Sequence, residues 1–351
     1  MKTEILSIDP ANIDEELIGR AGDILKAGGL VAFPTETVYG LGGDALNKDA
    51  SRKIYAAKGR PSDNPLIVHI ADMDHLAPIV ADIPEGAKKL ADAYWPGPLT
   101  MIFRKTDLVP YETSGGLPTV AVRMPVHPVA ASLIRAEGGY IAAPSANTSG
   151  RPSPTVARHV IEDLDGKIDM IIDSGPVSIG LESTIVDFTE DVPVILRPGY
   201  INREMLEEVL GQVKIDPGIL DANANKGIRP KAPGMRYRHY APRCELTVVE
   251  GRKEDVVARI NELARASRAE GKKVGVIATD ETRNLYEADD IRDIGSRADD
   301  KEIARHLFEV LRDFDTDCVD VAFSESFDTP RMGMAIMNRL LKAAGHHVIR
   351  A

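Results

Sequence analysis

The stretch from Gly28 to Ile70 constrains the fold more than any other part of the chain. It opens with an apolar segment, Leu30 to Phe33, that is too short and too apolar for anything but a buried strand. After Pro34 come a polar loop dotted with glycines, a short basic helix, a Lys-Gly-Arg-Pro corner and a second apolar strand, Leu66 to Ile70. This layout places polar groups at the ends of buried strands, where open α/β sheets bind ligands.

Two details of this stretch are predicted from local signals. Asp49 is expected to cap a helix from Ala50 to Lys58, and Gly59 is expected to end that helix in the way typical of a C-terminal glycine. The run Gly40-Leu41-Gly42-Gly43 is interpreted as a turn, because clustered glycines are a weak phosphate-loop signal by themselves.

The pattern of the whole chain predicts three regions. Alternating strand and helix segments indicate one α/β domain over residues 1–210. Residues 211–243 are rich in Gly, Pro, Ala and Asn and show no helix or strand period, which predicts a linker. Residues 244–351 show a second, small Rossmann-like α/β pattern. This region lacks GxGxxG, so no dinucleotide is assigned to it.

Composition narrows the class of protein. A formal net charge of -11 disfavours a general nucleic-acid coat protein and binding to an anionic membrane. The two cysteines, Cys244 and Cys318, lie far apart without CxxC spacing, which is typical of reduced thiols in the cytosol. The N-terminus has no apolar core of signal-peptide length, and no stretch approaches a membrane span. We expect a soluble cytoplasmic protein.

No familiar catalytic motif is present. The chain has no GxxxxGK[ST] loop, HExxH, GxSxG elbow or kinase set. What remains is a set of polar residues near strand ends. Lys58 and Arg60 are suited to phosphate oxygens, and Arg123, at the end of a buried strand, requires a carboxylate or phosphate partner. His69 lies within an apolar strand, where a buried core histidine and a ligand contact both remain open.

Further polar side chains follow other strands. Each is weak evidence alone, but together they indicate a site that binds and orients anions, as in phosphoryl or nucleotidyl transfer. These residues are Ser145, Asn147, Ser153, Ser183 and Arg197.

Positive charge is concentrated in the linker. Between Ala222 and Cys244 there are six basic residues and no acid, in a chain that is acidic as a whole. They are Lys226, Arg229, Lys231, Arg236, Arg238 and Arg243. Two interpretations stay open here: a solvated interdomain linker, and a lid that meets an anion.

The ordered motifs resemble a known family. FPTETVYGLG, KGRPSDNPLIVHI, VAVRMP, APSAN, ESTIVD and LRPG are similar to the YrdC/Sua5 family of L-threonylcarbamoyladenylate synthases, with Lys58-x-Arg60 and Ser145-x-Asn147 matching its KxR…SxN signature. APGMRYRHYAP and AIMNRLLKA resemble the linker and extra domain of the Sua5-type members. The resemblance implies a YrdC-like twisted, open mixed sheet with helices and a large concave cavity, plus a small Rossmann-like C-terminal domain.

The resemblance also implies an activity. L-Threonine, bicarbonate and ATP would give threonylcarbamoyl-AMP and pyrophosphate, with Mg²⁺ on the ATP phosphates. Partner proteins would then use the adenylate to make N6-threonylcarbamoyladenosine (t6A) in tRNA, and weak direct contact with tRNA is possible. Lys58 and Arg60 would be catalytic. Threonine would be held by Thr37, His69, Arg123, Ala143 and Ser183. ATP would be held by Lys58, Arg60, Asn64, Thr119, Ser145, Asn147, Ser153, Arg197 and Tyr237.

Two other functions compete with this interpretation. One is a carbamoyl-adenylate-forming enzyme on the same core, such as the hydrogenase-maturation proteins. Those proteins carry cysteine-rich zinc fingers, whereas this chain has two isolated cysteines. The other is a tRNA- or double-stranded-RNA-binding module, which the net negative charge and the absence of RNA-reading aromatic motifs disfavour.

Overall fold

The computed structural model describes residues 2–220, 230–235, 239–327 and 331–351. The chain divides into two compact units. The first comprises 1–149, 153–178 and 182–236, and the second comprises 150–152, 179–181 and 237–351. The two short loops at 150–152 and 179–181 therefore belong with the C-terminal part of the chain. Domain boundaries at 210 and 243 stay a prediction.

One mixed sheet forms the centre of the first unit. Its eleven strands in the described residues are β1 (Glu4–Ser7), β2 (Val31–Phe33), β3 (Gly40–Asp44), β4 (Ile67–His69), β5 (Leu99–Arg104), β6 (Thr119–Arg123), β7 (Ile141–Ala142), β8 (Met170–Asp173), β9 (Thr184–Asp187), β10 (Val194–Arg197) and β11 (Lys214–Ile215). Their order across the sheet is β1-β8-β2-β3-β7-β4-β6-β5-β9-β10-β11. Neighbours such as β4 and β6 are parallel, whereas β5 and β6 are antiparallel. The predicted mixed α/β fold is confirmed.

Helices cover the two faces of this sheet unequally. They are α1 (Glu15–Lys26), α2 (Lys48–Lys58), α3 (Glu85–Tyr94), α4 (Pro128–Glu137), α5 (Ala157–Leu164), α6 (Arg203–Leu210) and α7 (Pro217–Leu220). One face carries the larger core, where α2, α3, α5 and α6 pack on side chains such as Val68 and Val122. On the other face, α1 and α4 pack over Val31, Phe33 and Ile141, near one end of the sheet.

The second unit is a separate parallel α/β sandwich. Its described strands are β12 (Glu245–Glu250), β13 (Val274–Ala278), β14 (Asp290–Asp293), β15 (Val321–Glu325) and β16 (Val348–Arg350), with helices α8 (Lys253–Ala269), α9 (Asp300–Thr316) and α10 (Gly333–Ala343). The strand order is β14-β13-β15-β12-β16, and every pair is parallel. The small Rossmann-like unit is confirmed.

The glycine run at 40–43 is a strand, so the predicted turn is wrong. A Cβ on Gly42 would lie 2.9 Å from Ile141 Cγ2 and 3.0 Å from Phe33 Cε1. The glycine therefore makes room for two large neighbours in the core and is not there to turn the chain.

The predicted cap of α2 is also wrong. Asn47 is the N-cap: its side chain accepts hydrogen bonds from the backbone N–H groups of Asp49, at 2.9 Å, and Ala50, at 3.4 Å. Asp49 instead forms an ion pair with Arg52 at 2.9 Å. Gly59 has a φ of 60°, the left-handed conformation that ends a helix, which confirms the predicted helix end.

The start of the linker is more regular than its composition indicates. The short strand β11 and the single-turn helix α7 lie within 211–243, where no period was detected. Segments of two and four residues are too short to produce a detectable period. Within the described part of the chain, no helix is long and apolar enough to cross a membrane.

Candidate active site

Part of one sheet face is left without helix cover among the described residues. Paired residues of neighbouring strands point to the same side of a sheet. Ile67, Ala121 and Ile102 are paired across β4, β6 and β5, and with Ile185 and Leu196 they form a separate apolar cluster on the face that α1 and α4 cover elsewhere. We call this cluster the apolar floor.

A piece of the linker packs on the apolar floor. Ala232 is fully buried in that cluster, and Met235 packs against it. Lys231, beside them, forms ion pairs with Asp187 of β9 at 3.1 Å and with Glu190 at 2.8 Å, so this linker cation is already paired with carboxylates of the same unit. The predicted linker residues Lys226, Arg229, Arg236, Tyr237 and Arg238 lie outside the described residues.

Three polar side chains form a row at one end of the floor. His69 of β4 pairs with Arg123 of β6, and Arg123 pairs with Thr100 of β5. The row lies two residues along each strand from the apolar floor and therefore on the same face. Thr37, in the loop after β2, contacts this row through Arg123. We call this region the carboxylate end of the site, because the Arg123 guanidinium is suited to a carboxylate.

Arg123 is buried and paired with a protein carboxylate. Its Nη2 donates to Glu36 Oε1 at 2.6 Å, and the two side chains are 5% and 6% exposed. Nη1 donates to Thr37 Oγ1 at 2.9 Å, and Nε donates to the Gly97 carbonyl at 3.4 Å. An arginine has five N–H donors. Within the described residues three of these are engaged, so two remain for a ligand.

A small turn positions Glu36 and Thr37. The Thr35 hydroxyl accepts from the backbone N–H groups of Thr37, at 3.2 Å, and Val38, at 3.3 Å, and donates to the Val38 carbonyl at 2.7 Å. Short Thr side chains commonly stabilise turns in this way. Pro34 follows β2 just before this turn, so the sequence Pro-Thr-Glu-Thr places the Glu36 and Thr37 side chains directly at the end of a buried strand.

His69 is held as a neutral imidazole. Burial, and then the positive charge of Arg123, lower the pKa of His69 from 6.5 to about 3. Its Nδ1 lies 3.1 Å from the Ile67 carbonyl, which implies a proton on that nitrogen. The backbone N–H of Ala143 donates to the same carbonyl at 2.8 Å. The structure thus brings His69 and Ala143 together beside Arg123.

Opposite this row lies a second polar region, built around the start of β4 and β6. Thr119 begins β6, four residues before Arg123, so the two lie about 13 Å apart on the same face. Arg60 donates to the carbonyls of Asn64, at 3.2 Å, and Pro65, at 3.0 Å, which fixes the corner before β4. The side-chain oxygen of Asn64 is buried and has no hydrogen-bond partner among the described residues. Because the resemblance predicts ATP contacts for these residues, we call this region the nucleotide end.

Lys58 braces a loop at the nucleotide end. It is the last residue of α2, it is 1% exposed, and its Nζ donates to the backbone carbonyls of Ser145 and Asn147. Ser145 Oγ donates to Asn147 Oδ1 at 2.5 Å. The two halves of the KxR…SxN pattern therefore meet. A cavity of about 600 Å³ borders Lys58, but its other lining residues include Lys53, Lys167 and Asp169 and none of the predicted site residues.

Ser183 and Arg197, predicted for threonine and ATP respectively, contact each other directly. Arg197 Nε donates to the Ser183 carbonyl at 2.9 Å and Nη2 donates to its hydroxyl at 3.1 Å. Thr100 Oγ1 lies 2.8 Å from the same hydroxyl. The residue before Ser183, Glu182, accepts a hydrogen bond from the Ser153 hydroxyl at 2.5 Å. The residues predicted to bind threonine and those predicted to bind ATP therefore adjoin each other at the carboxylate end.

Sequence reasoning missed Glu36, Thr100 and Glu182. Glu36 had a usable signal, because a strand-terminal arginine requires an anion and one acid stands next to Thr37. Thr100 had only a weak signal, a polar residue at the start of an apolar strand. Glu182 lies in the ESTIVD motif, but no local signal indicated its contact with Ser153, which lies 29 residues away.

No group of three or more His, Cys, Asp or Glu side chains is placed to hold a metal ion in the described part of the chain. Magnesium bound to a nucleotide commonly keeps several waters and takes few protein ligands.

Comparison with known proteins identifies the family. A family model described as telomere recombination, named for Sua5, YciO and YrdC, matches residues 23–199. A model of the C-terminal domain of threonylcarbamoyl-AMP synthase matches residues 201–345. Together the two models span both halves of the chain.

Relatives match over nearly the full length. The threonylcarbamoyl-AMP synthase of Bacillus subtilis is 49% identical over 343 residues, which is 97% of each chain. The enzyme of the same name from Pyrococcus abyssi is 49% identical over 338 residues, or 96% of this chain and 97% of the relative. A crystal structure of P. abyssi Sua5 complexed with L-threonine has a TM-score of 0.94 at 48% identity, covering 99% of this chain and 100% of that one. The chain belongs to the Sua5/YciO/YrdC family.

Proposed function

We propose that this protein is a threonylcarbamoyl-AMP synthase, which converts L-threonine, bicarbonate and ATP to threonylcarbamoyl-AMP and pyrophosphate. The observation that carries the proposal is the buried Arg123, with two N–H groups to spare, on the same sheet face as the nucleotide end. Two relatives with this name are 49% identical over almost the whole chain, which supports the same activity here.

In this proposal the carboxylate end binds threonine. Arg123 donates its remaining N–H groups to the threonine carboxylate in a two-pronged contact. Thr37, Ser183 and neutral His69 surround the small polar side chain of the substrate, and the backbone at Ala143 closes the pocket. A P. abyssi relative has been crystallised with L-threonine, which supports an amino-acid pocket in this fold.

The nucleotide end binds ATP. Arg60, Lys58 and the Ser145–Asn147 loop contact the phosphates, while Asn64 supplies its unpaired oxygen and Thr119 its hydroxyl to the rest of the nucleotide. Ser153, Arg197 and Tyr237 complete the set. Mg²⁺ accompanies ATP as part of the substrate and offsets charge on its phosphates.

Charge stabilisation is the main chemical task of these residues. Threonine carbamate is an anion, and it attacks the α-phosphate of ATP, which is also anionic. Arg60 and Lys58 lower this repulsion and stabilise the leaving pyrophosphate, in a site where fixed donors act more strongly than water. The contact between Ser183, assigned to threonine, and Arg197, assigned to ATP, supports a meeting point of the two substrates there.

The linker serves as a lid. Residues 230–235 already pack on the apolar floor between the two ends of the site. A cover at this position excludes water, which hydrolyses carbamates and mixed anhydrides. Further proteins of the cytoplasm then consume the adenylate in tRNA modification to t6A, and any tRNA contact by this chain is weak.

Pyrophosphate release measured with single omissions tests the proposal. The purified chain should release pyrophosphate from ATP only when L-threonine and bicarbonate are both present, and mass spectrometry should detect threonylcarbamoyl-AMP. Carbamoyl phosphate in place of both co-substrates tests the related carbamoyl-adenylate activity. Pyrophosphate release that does not depend on threonine would overturn the proposal.

A further inference from the structure

Glu36 has one carboxylate oxygen with no partner. Oε1 accepts from Arg123 at 2.6 Å, whereas Oε2 is buried and makes no hydrogen bond to any described residue. The side chain is 6% exposed, so bulk water does not solvate it freely. A buried polar atom without a partner costs free energy, and in native proteins such an atom calls for an explanation.

The position of Oε2 points to an amino group. Glu36 is adjacent to Arg123 and Thr37, in the pocket proposed above for the substrate carboxylate. In an α-amino acid the carboxylate and the nitrogen are attached to the same carbon. A ligand whose carboxylate contacts Arg123 therefore carries its ammonium group close to the neighbours of Arg123. Among the described contacts of that guanidinium, Glu36 is the anion.

We infer that Glu36 Oε2 accepts a hydrogen bond from the amino group of the amino-acid substrate. The inference rests on the proposed function and adds a specificity residue to it. Arg123 selects a carboxylate, and Glu36 selects the amine beside it. The pocket thereby rejects acids of similar size that have no hydrogen-bond donor on Cα, because they leave the Glu36 oxygen unpaired.

A purely structural role for Glu36 predicts something different. If Glu36 only neutralised Arg123, its loss would disturb Arg123 and weaken every carboxylate ligand equally. A contact with the amine weakens only ligands that carry an amine. The ratio of two affinities separates these roles, and it is insensitive to a general loss of folded protein.

The test is isothermal titration calorimetry with L-threonine and 3-hydroxybutanoate, the same molecule without its amine. In Glu36→Gln the amide oxygen still accepts from Arg123, but an NH₂ group replaces Oε2 and faces the ammonium. The dissociation constant for threonine should rise about ten- to a hundredfold, as expected for a hydrogen bond to a charged group, while that for 3-hydroxybutanoate changes little.

Two further variants complete the experiment. Glu137→Gln is the matched control, because Glu137 is another buried glutamate, bonded to the Tyr140 N–H at 2.9 Å, and should leave the ratio unchanged. Glu36→Asp keeps the charge and should restore part of the threonine preference. If Glu36→Gln weakens the binding of both ligands equally, or of neither, the inference about Glu36 is overturned and the proposed function is not affected. Absence of threonine binding in the unmodified protein would remove the proposed function as well.

Discussion

Arg123 shows how much a single residue constrains this protein. Removing two charges from water is costly, and a buried ion pair seldom recovers that cost by itself. The Arg123–Glu36 pair is almost fully buried, and its guanidinium keeps two N–H groups unused by the described residues. Such a pair is expected to contribute little net stability. It fits a site that is completed by a ligand with charges of its own.

His69 gives a prediction about pH. Because burial and Arg123 lower its pKa from 6.5 to about 3, the folded protein does not protonate this imidazole until the pH nears 3. The unfolded chain takes up that proton already near pH 6.5. Protons bound only by the unfolded state favour unfolding, so His69 lowers the free energy of unfolding as the pH falls from about 6.5 towards 3.

His69→Gln should remove this contribution. Between pH 6 and pH 4 the free energy of unfolding should fall less steeply in the variant, by up to about 1.4 kcal/mol per pH unit. Urea unfolding followed by Trp95 fluorescence measures the free energy of unfolding at each pH, since Trp95 is the one tryptophan of the sequence and is buried in the first unit. Equal slopes in both proteins would contradict the assigned neutral state.

Helix α2 connects local capping to the site. Asn47 begins it, Gly59 ends it in the left-handed conformation, and its last residue is Lys58, which braces the Ser145–Asn147 loop. The orientation of Lys58 therefore depends on a helix whose two ends are both set by short-range hydrogen bonds. Fraying at either end would loosen the nucleotide end of the site.

Asn47→Ala tests the corrected cap. Without the Asn47 side-chain oxygen, two backbone N–H groups of the first turn lose their hydrogen-bond acceptor, which should lower the free energy of unfolding by about 1 kcal/mol. Asp49→Ala is the matched control and should cost less, because it removes only an exposed ion pair with Arg52. A larger effect at Asp49 would restore the cap predicted from sequence. Trp95 fluorescence again reports the transition.

On the scale of the whole molecule, the arrangement of cover decides where the site lies. Helices α1 and α4 protect one end of a sheet face, and residues 230–235 lie on the apolar floor at the other. The floor is apolar, so the apolar side chains of this segment pack on it without leaving polar groups unpaired. The polar side chains predicted to bind substrates lie at both margins of that floor.

Replacing the cover should impair turnover without unfolding the first unit. A Gly/Ser segment of equal length in place of 222–243, or Tyr237→Ala, should reduce pyrophosphate release at least about tenfold because water reaches the intermediates. Ala232→Glu should act in the same direction, since it places a charge on the apolar floor. Ala266→Glu, on the exposed side of α8, is the matched control. Full activity in all three variants would contradict the role as a lid and show that this segment is only a linker.

Local sequence alone determined the short apolar strands, the helix that ends at Gly59 and the second α/β unit. Those features depend on neighbours within a few residues, so periodicity and capping reveal them. Only the tertiary structure decided that Gly40–Asp44 is a strand, that His69, Arg123 and Thr100 share one row, and that Glu36 pairs with Arg123. Strand register and buried ion pairs join residues far apart in the chain, 87 positions for that pair, and no local pattern specifies such contacts.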